Sequence, residues 1–538
     1  MQRIRGRRDG LAASTRYLHE VLSSGSHDHE TLWLALLKVY TSALNTHGQF
    51  DDIISDSRLA ITDTNSIENV LAEASVAEMS VLYEFLLAHD DMSEKRTNGQ
   101  FFTPDDVAMF MASKSRQFGT GIWIDPCCGV GNLSYWLVKQ QRRPEAFLLN
   151  NMKFVDLDDL ALFSARVIMA TRFQKKESSL FSKLEPNFIQ GDFLRMDEQA
   201  RDENGLSYDF VIMNPPYVQT SSRGLGFGSH ESRDMYAFFL ERAFKSSRGV
   251  IAITPQTFTN GARHRSLRSI ILNESKECSI YCFDNVPDTI FRGFKYGSEN
   301  SNTVNSTRAA ITVASTANES AVGCKDFLIT PLVRWPSRDR ALMFCRVDEM
   351  LGRPVTVEAD LFPKVPKGLE DLYDELCETP VRLCDVVIKH GEGEHFNVPT
   401  TPRYFISAAK RDLSRSSMAR LTVGDRRMAK LAYLTLNSSL AYFWWRVRDG
   451  GMTLSRATLL STPLLTGVNV DTRTASRLIQ RLEESESSNL VIKLNSGKGN
   501  ENIKHSRELI HDINRLLVPA YADALLQLHS NSSLADSV

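Results

Sequence analysis

Between about residues 100 and 318 short apolar runs alternate with amphipathic stretches, and this alternation constrains the fold more than any other feature of the 538-residue chain. Strand-like runs occupy 121–126, 153–156, 187–190, 210–213, 249–255, 279–283 and 309–314. Helical periodicity fills 132–140, 158–172, 235–246 and 263–275, with no helix between the last two strands. Repeated βα units predict a mainly parallel sheet covered by helices on both faces. The expected fold class is therefore α/β, with a Rossmann-like sheet of seven strands. Ligands of such sheets bind beyond the carboxyl ends of the strands.

Chemistry-bearing residues fall at those ends. Asn214-Pro215-Pro216-Tyr217 follows the apolar run 210–213, and two prolines end that strand because neither can donate to a sheet ladder. An amide, a carbonyl and an aromatic ring are thereby gathered at one strand tip. Asn214 Oδ1 and the Pro215 carbonyl can each accept a hydrogen from a planar amine, and Tyr217 can stack on its ring. Upstream, Asp125 ends the first strand and opens Asp125-Pro126-Cys127-Cys128-Gly129-Val130-Gly131-Asn132. Glycine lets backbone approach a ligand closely. The segment lacks the Gly-Lys-Ser/Thr of a P-loop and the Gly-x-Gly-x-x-Gly of dinucleotide folds. An acid at this strand tip suits an ammonium instead. Asp156, at the next strand end, suits two ribose hydroxyls. Asp192, after the third, suits an adenine amino group. Any one acid at a strand end is ordinarily a helix cap or turn former. Three in succession before Asn214 suit a ligand with amine, ribose and adenine and no phosphate.

The segments Gly99-Gln100-Phe101-Phe102-Thr103-Pro104, 125–133, 154–158, 191–194 and 209–217 resemble, in their order, the motifs of the amino-methylating DNA methyltransferases, and specifically the gamma group of DNA N6-adenine methyltransferases of restriction–modification systems. The resemblance covers roughly residues 97–318. It implies S-adenosylmethionine as cofactor and a class I methyltransferase sheet. It places Phe102, Thr103 and Pro104 over the methionine end, with Phe101 and Phe102 equally suited to the core. Asp125, Cys127, Gly129 and Gly131 would line that end, Asp156 would hold the ribose, and Asp192 with Phe193 the adenine. The catalytic set would be Asn214, Pro215, Pro216 and Tyr217. Phe291 is the candidate for the second face of a flipped base, with Phe294 as runner-up. A base inside a duplex cannot reach such a site, so the target would be flipped out. RNA adenine, DNA cytosine N4, or a silent DNA-binding partner are the alternative readings. No metal site is expected.

Residues 1–95 are expected to form a helical N-terminal region, 96–330 the methyltransferase domain, and 331–538 a mixed target-recognition domain with a helical tail. Prolines and short strand-like pieces such as 386–388 and 404–406 mark that last part, and 470–529 is predicted helical apart from the polar 495–500. The stretch 436–445 resembles the recognition part of the same enzymes. Formal net charge is -2, so a polyanion site must come from local clustering. Between 381 and 450 there are twelve Lys and Arg against six Asp and Glu. Arg403, Lys410, Arg411, Arg426 and Arg427 are the candidates for phosphate contact. No apolar run approaches the ~20 residues of a membrane span. The basic start lacks a following apolar stretch, and the eight cysteines show no disulfide or zinc pattern. A bacterial or archaeal cytoplasmic protein is expected, with double-stranded DNA as partner and a restriction endonuclease encoded separately.

Overall fold

A computed structural model describes residues 29–44, 71–90, 103–174, 179–196, 207–220, 226–291, 307–316, 324, 326–352, 360–402, 405–449, 453–495 and 498–534. Phe101, Phe102, Phe294 and Arg403 lie outside the described residues. The chain divides into two compact units. One comprises Met1–Phe258, Arg263–Ile280 and Thr289–Phe327; the other comprises Thr259–Ala262, Tyr281–Asp288 and Leu328–Val538.

The sheet is built from β1 (Trp123–Asp125), β2 (Met152–Asp156), β3 (Phe188–Gln190), β4 (Phe210–Met213), β5 (Gly249–Pro255), β6 (Ser275–Phe283), β7 (Ala309–Thr316) and β8 (Asp326–Ile329). Their order is β3-β2-β1-β4-β5-β7-β6-β8. The strands β1 to β5 pair in parallel, and β7 runs antiparallel to β5. All seven expected strands are present, and β8 adds an eighth at the edge. All four residues of β4 and all but the last of β5 are buried, which is why these strands are continuous apolar runs rather than alternating ones. One local expectation changes: the helix expected over 263–275 ends at Glu274, and β6 starts at Ser275.

Around the sheet stand α1 (His29–Ala43), α2 (Val76–Asp90), α3 (Asp105–Ser113), α4 (Asn132–Lys139), α5 (Asp159–Phe173), α6 (Met235–Ser246) and α7 (Arg265–Glu274). The N-terminal helices belong to the same unit as α5 and are tied to it. Trp33 Nε1 donates to Ser164 Oγ at 2.7 Å. Arg172 donates to the Tyr40 hydroxyl at 2.7 Å and to the Ala74 carbonyl at 2.5 Å.

The second unit has its own core, centred on α9 (Ser439–Arg448), which follows α8 (Arg426–Leu436). Every residue of α9 except Arg448 is buried, as a helix apolar on all sides must be. The polar residues before it are caps. Ser438 Oγ accepts from the Leu440 N–H at 3.1 Å, Asn437 Oδ1 from the Ala408 N–H at 3.0 Å, and Asn514 Oδ1 from the Ser439 N–H at 2.9 Å. Asp284 is buried beneath two guanidinium groups, Arg334 at 2.8 Å and Arg446 at 2.5 Å. Strands here are β9 (Glu394–Pro399) paired antiparallel with β10 (Met418–Val423), and the hairpin of β11 (Leu490–Asn495) with β12 (Lys498–Ile503). Two expectations are corrected. Residues 386–388 are not a strand, since Val386 ends a short helix, and Ile406 lies outside every strand. The polar 495–500 does not interrupt a helical tail: Asn495 ends β11 and Lys498 to Asn500 begin β12, an antiparallel pair between α10 (Arg473–Ser488) and α11 (Arg507–Leu517).

Candidate active site

Strand order reverses between β1 and β4, and such a switch point opens a crevice over the carboxyl ends of the strands. A cavity of about 560 Å³ lies there. That volume is in the range of small-molecule and cofactor sites. Its wall includes Asp125, Asp156 and Asp192, and also Asn214 and Pro216. The three acids and the strand-end amide therefore share one space.

Asp125, at the tip of β1, is 1% exposed. Its Oδ2 accepts from Ser134 Oγ at 2.7 Å, while Oδ1 is buried without a hydrogen-bond partner of normal geometry. Burial pushes this carboxyl up to about 7, against the opposing effects of Ser134 and the Cys127 backbone. Asp156, at the tip of β2, takes the Gly129 N–H on Oδ2 at 2.7 Å and the Asp158 N–H on Oδ1 at 3.0 Å. Burial raises its carboxyl as well, and these backbone donors offset part of the rise. Gly129 has φ 51°, the left-handed turn that brings its N–H onto Asp156. Asp192 Oδ1 accepts from the Leu194 N–H at 3.0 Å, which turns the chain under the pocket. Beside it Phe193 stacks on Phe239 with ring centroids 5.6 Å apart, and both rings line the cavity.

Asn214 Nδ2 donates to Thr103 Oγ1 at 3.0 Å. The bond sets the orientation of the amide, whose one acceptor atom is Oδ1. Thr103 is itself held, since its carbonyl accepts from Asn132 Nδ2 at 2.7 Å at the start of α4. Pro215 is buried. Tyr217 lies outside the cavity lining; its hydroxyl donates to the Ile253 carbonyl at 3.1 Å. Phe291 is 1% exposed and meets Tyr217 edge to face, at 6.0 Å and 66°. A base sandwiched between parallel rings needs about 7 Å between them, twice the ~3.5 Å contact distance. These two rings leave no such slot as they stand.

Of the expected cofactor residues, Thr103, Asp125, Cys127, Gly129, Asp156, Asp192 and Phe193 line the cavity. Pro104 and Gly131 do not. Pro104 precedes the first turn of α3. Gly131 has φ 92°, a left-handed backbone that favours glycine, and a Cβ there would also lie 2.8 Å from the terminal methyl of Met169 on α5. Burial holds the Cys127 and Cys128 thiols well above their ordinary pKa, which makes them unreactive walls. The sequence reading missed Asn132 and the α2 residues Ser80, Tyr83, Glu84 and Leu87, all of which line the cavity. Among the described residues no cluster of His, Cys, Asp and Glu is arranged to hold a metal. No described helix is long and apolar enough to cross a membrane.

In the second unit Arg426 and Arg427 are exposed in the first turn of α8, and Arg427 donates to the Thr466 carbonyl at 2.9 Å. Arg411 is also exposed. Lys410 differs: its Nζ sits 3.2 Å from Glu394 and 2.8 Å from Glu483, so its charge is neutralised within the unit.

Residues 127–291 match the model of the Eco57I restriction-modification methylase family. The type II methyltransferase M.VspI of Vibrio sp. (strain 343) is 26% identical over 204 residues, 36% of this chain and 45% of that protein. The type II methyltransferase M.PstI of Providencia stuartii is 24% identical over 197 residues, 35% of this chain and 38% of that protein. The chain thus spans less than half the length of these curated relatives. Among solved structures, a DrdV–DNA complex is similar with 13% identity and a TM-score of 0.43, over 68% of this chain and 43% of that chain.

Proposed function

We propose that this chain, whose core is of the restriction–modification methylase type, transfers the methyl group of S-adenosylmethionine to the N6 amino group of an adenine flipped out of double-stranded DNA. The observation that carries the reading is the single cavity whose wall holds both the three strand-end acids and Asn214. A methyl donor and an amine acceptor must meet within one site, and this cavity provides one.

The donor set fits the cofactor. The buried Asp125 Oδ1, without a hydrogen-bond partner of normal geometry, suits an ammonium. The Asp156 carboxylate, oriented by the Gly129 and Asp158 N–H groups, suits a ribose diol. Asp192 and the Phe193 ring suit an adenine amino group and its face. When bound, the cofactor supplies a sulfonium methyl that needs no protein nucleophile. The chain's own residues then position and polarise. The adenine N6 lone pair is delocalised into its ring. Asn214 Oδ1 and the Pro215 carbonyl, by accepting its two hydrogens, favour a more tetrahedral nitrogen and aim the lone pair at the donor. Tyr217 stacks on the base, fixed by its bond to Ile253. Phe291 takes the other face after its ring moves out of edge contact with Tyr217. No carboxylate base is required, because the proton can leave after transfer.

Arg411, Arg426 and Arg427 are the phosphate contacts of the second unit, and the protein serves as the modification arm of a restriction–modification system with a separately encoded endonuclease. The test pairs two measurements on Asn214→Ala. Methyl transfer from labelled cofactor to DNA should fall by at least about 100-fold, the scale of losing one oriented polar group at a reacting centre. Calorimetric affinity for S-adenosylmethionine should stay within about threefold, because Asn214 holds the acceptor and not the donor. Full methylation by the variant overturns the role of Asn214.

A further inference from the structure

The N-terminal helix α2 borders the same cavity through Ser80, Tyr83, Glu84 and Leu87. These positions stand at i, i+3, i+4 and i+7, the spacing of one helix face. From this face the Tyr83 hydroxyl donates to Asp158 Oδ2 at 2.5 Å. Burial and the Asp158 carboxylate push the Tyr83 phenol far above its usual pKa, so it remains a donor. Asp158 is no isolated acceptor. Its Oδ1 caps α5 by accepting from the Ala161 N–H at 3.1 Å. Its backbone N–H donates to Asp156 Oδ1 at 3.0 Å. Asp156 is in turn fixed on its other oxygen by Gly129 at 2.7 Å. A continuous run of hydrogen bonds therefore joins α2 to the carboxylate at the tip of β2.

We propose that α2 forms a wall of the cofactor site and that Tyr83 is a positioning residue for Asp156, acting through Asp158 on the recognition of the ribose hydroxyls. The inference rests on the reading of the cavity as an S-adenosylmethionine site. Without the phenol hydroxyl, one oxygen of the Asp158 carboxylate loses its donor beside a second carboxylate. The Asp158 side chain is then held only through its bond to the Ala161 N–H, and the backbone donor that this residue presents to Asp156 loosens. The cost falls on whatever Asp156 binds.

Tyr83→Phe tests this while keeping the ring that meets Trp33 edge to face at 4.9 Å. Three ligands are titrated calorimetrically against both proteins: S-adenosylmethionine, 5′-methylthioadenosine and the 2′,3′-dideoxy form of the latter. The variant should bind the first two about tenfold more weakly, the scale of one charge-assisted hydrogen bond. It should bind the dideoxy ligand as the unaltered protein does. Unchanged affinity for all three ligands overturns the proposal. So does an equal loss for all three together with a lower Tm, which would make Tyr83 a packing residue only. Should the unaltered protein fail to bind S-adenosylmethionine at all, the cavity reading itself falls, and this inference with it.

Discussion

On the proposed reading, Asp125 couples the cofactor site to pH. Its carboxyl is raised to about 7 by burial, above the ordinary carboxylate range. The raised value means that the ligand-free fold favours the protonated acid. The stability Asp125 contributes is fully present below the unfolded value near 3.8 and is lost as pH rises through about 7. An ammonium beside Oδ1 reverses the preference. Cofactor affinity should therefore strengthen from about pH 6 to about pH 8, with proton release on binding, and Asp125→Asn should flatten that rise. Calorimetry in buffers of different ionisation enthalpy measures both; a pH-independent affinity in the unaltered protein contradicts the role. Asp192→Ala should weaken cofactor binding about tenfold, the scale of one hydrogen bond to a charged group. Unchanged affinity removes Asp192 from the site. Asp125 and Asp156 were legible in the sequence because each closes a short apolar run read as a strand, and Asp192 because it follows the next such run by two residues. Thr103 as the clamp on Asn214 was not, because 111 residues separate the two and only the folded sheet brings them together. Asn132 and Tyr83 were hidden for the same reason: nothing in their local sequence distinguishes a cavity residue from an ordinary helix residue. Thr103→Val keeps the shape and removes the acceptor. It should lower kcat about tenfold while leaving cofactor affinity nearly unchanged.

At the scale of elements, the central strands β4 and β5 were readable because burial on both faces makes them unbroken apolar runs. The β11–β12 hairpin was not. Ile492 is 66% exposed and Val491 38%, so its apolar residues do not mark an inward face, and a helical tail explained the same letters as well. Residues 436–445 were recognised as a motif, yet their place is the core of the second unit, with the polar letters as helix caps and the aromatic letters as filling. Trp445 is 1% exposed, and Trp445→Ala should cost about 3–5 kcal/mol. Urea unfolding measures this; a loss under about 1 kcal/mol would mean that α9 is not the centre of that core.

For the whole molecule, net charge near zero means that any DNA affinity must come from a local surface. Each neutralised phosphate lowers the slope of log affinity against log salt by about 0.9. Removing Arg426 and Arg427 together should make that slope shallower by nearly two, with little change in cofactor affinity. An unaltered slope places the phosphate contacts elsewhere. The proposed acceptor of the methyl group is the N6 nitrogen of adenine. Incubation of the full chain with double-stranded DNA and methyl-labelled S-adenosylmethionine, followed by digestion to nucleosides, tests it most directly. The label should elute as N6-methyldeoxyadenosine. Label in N4-methyldeoxycytidine, label only in an RNA substrate, or none in any nucleoside contradicts the account.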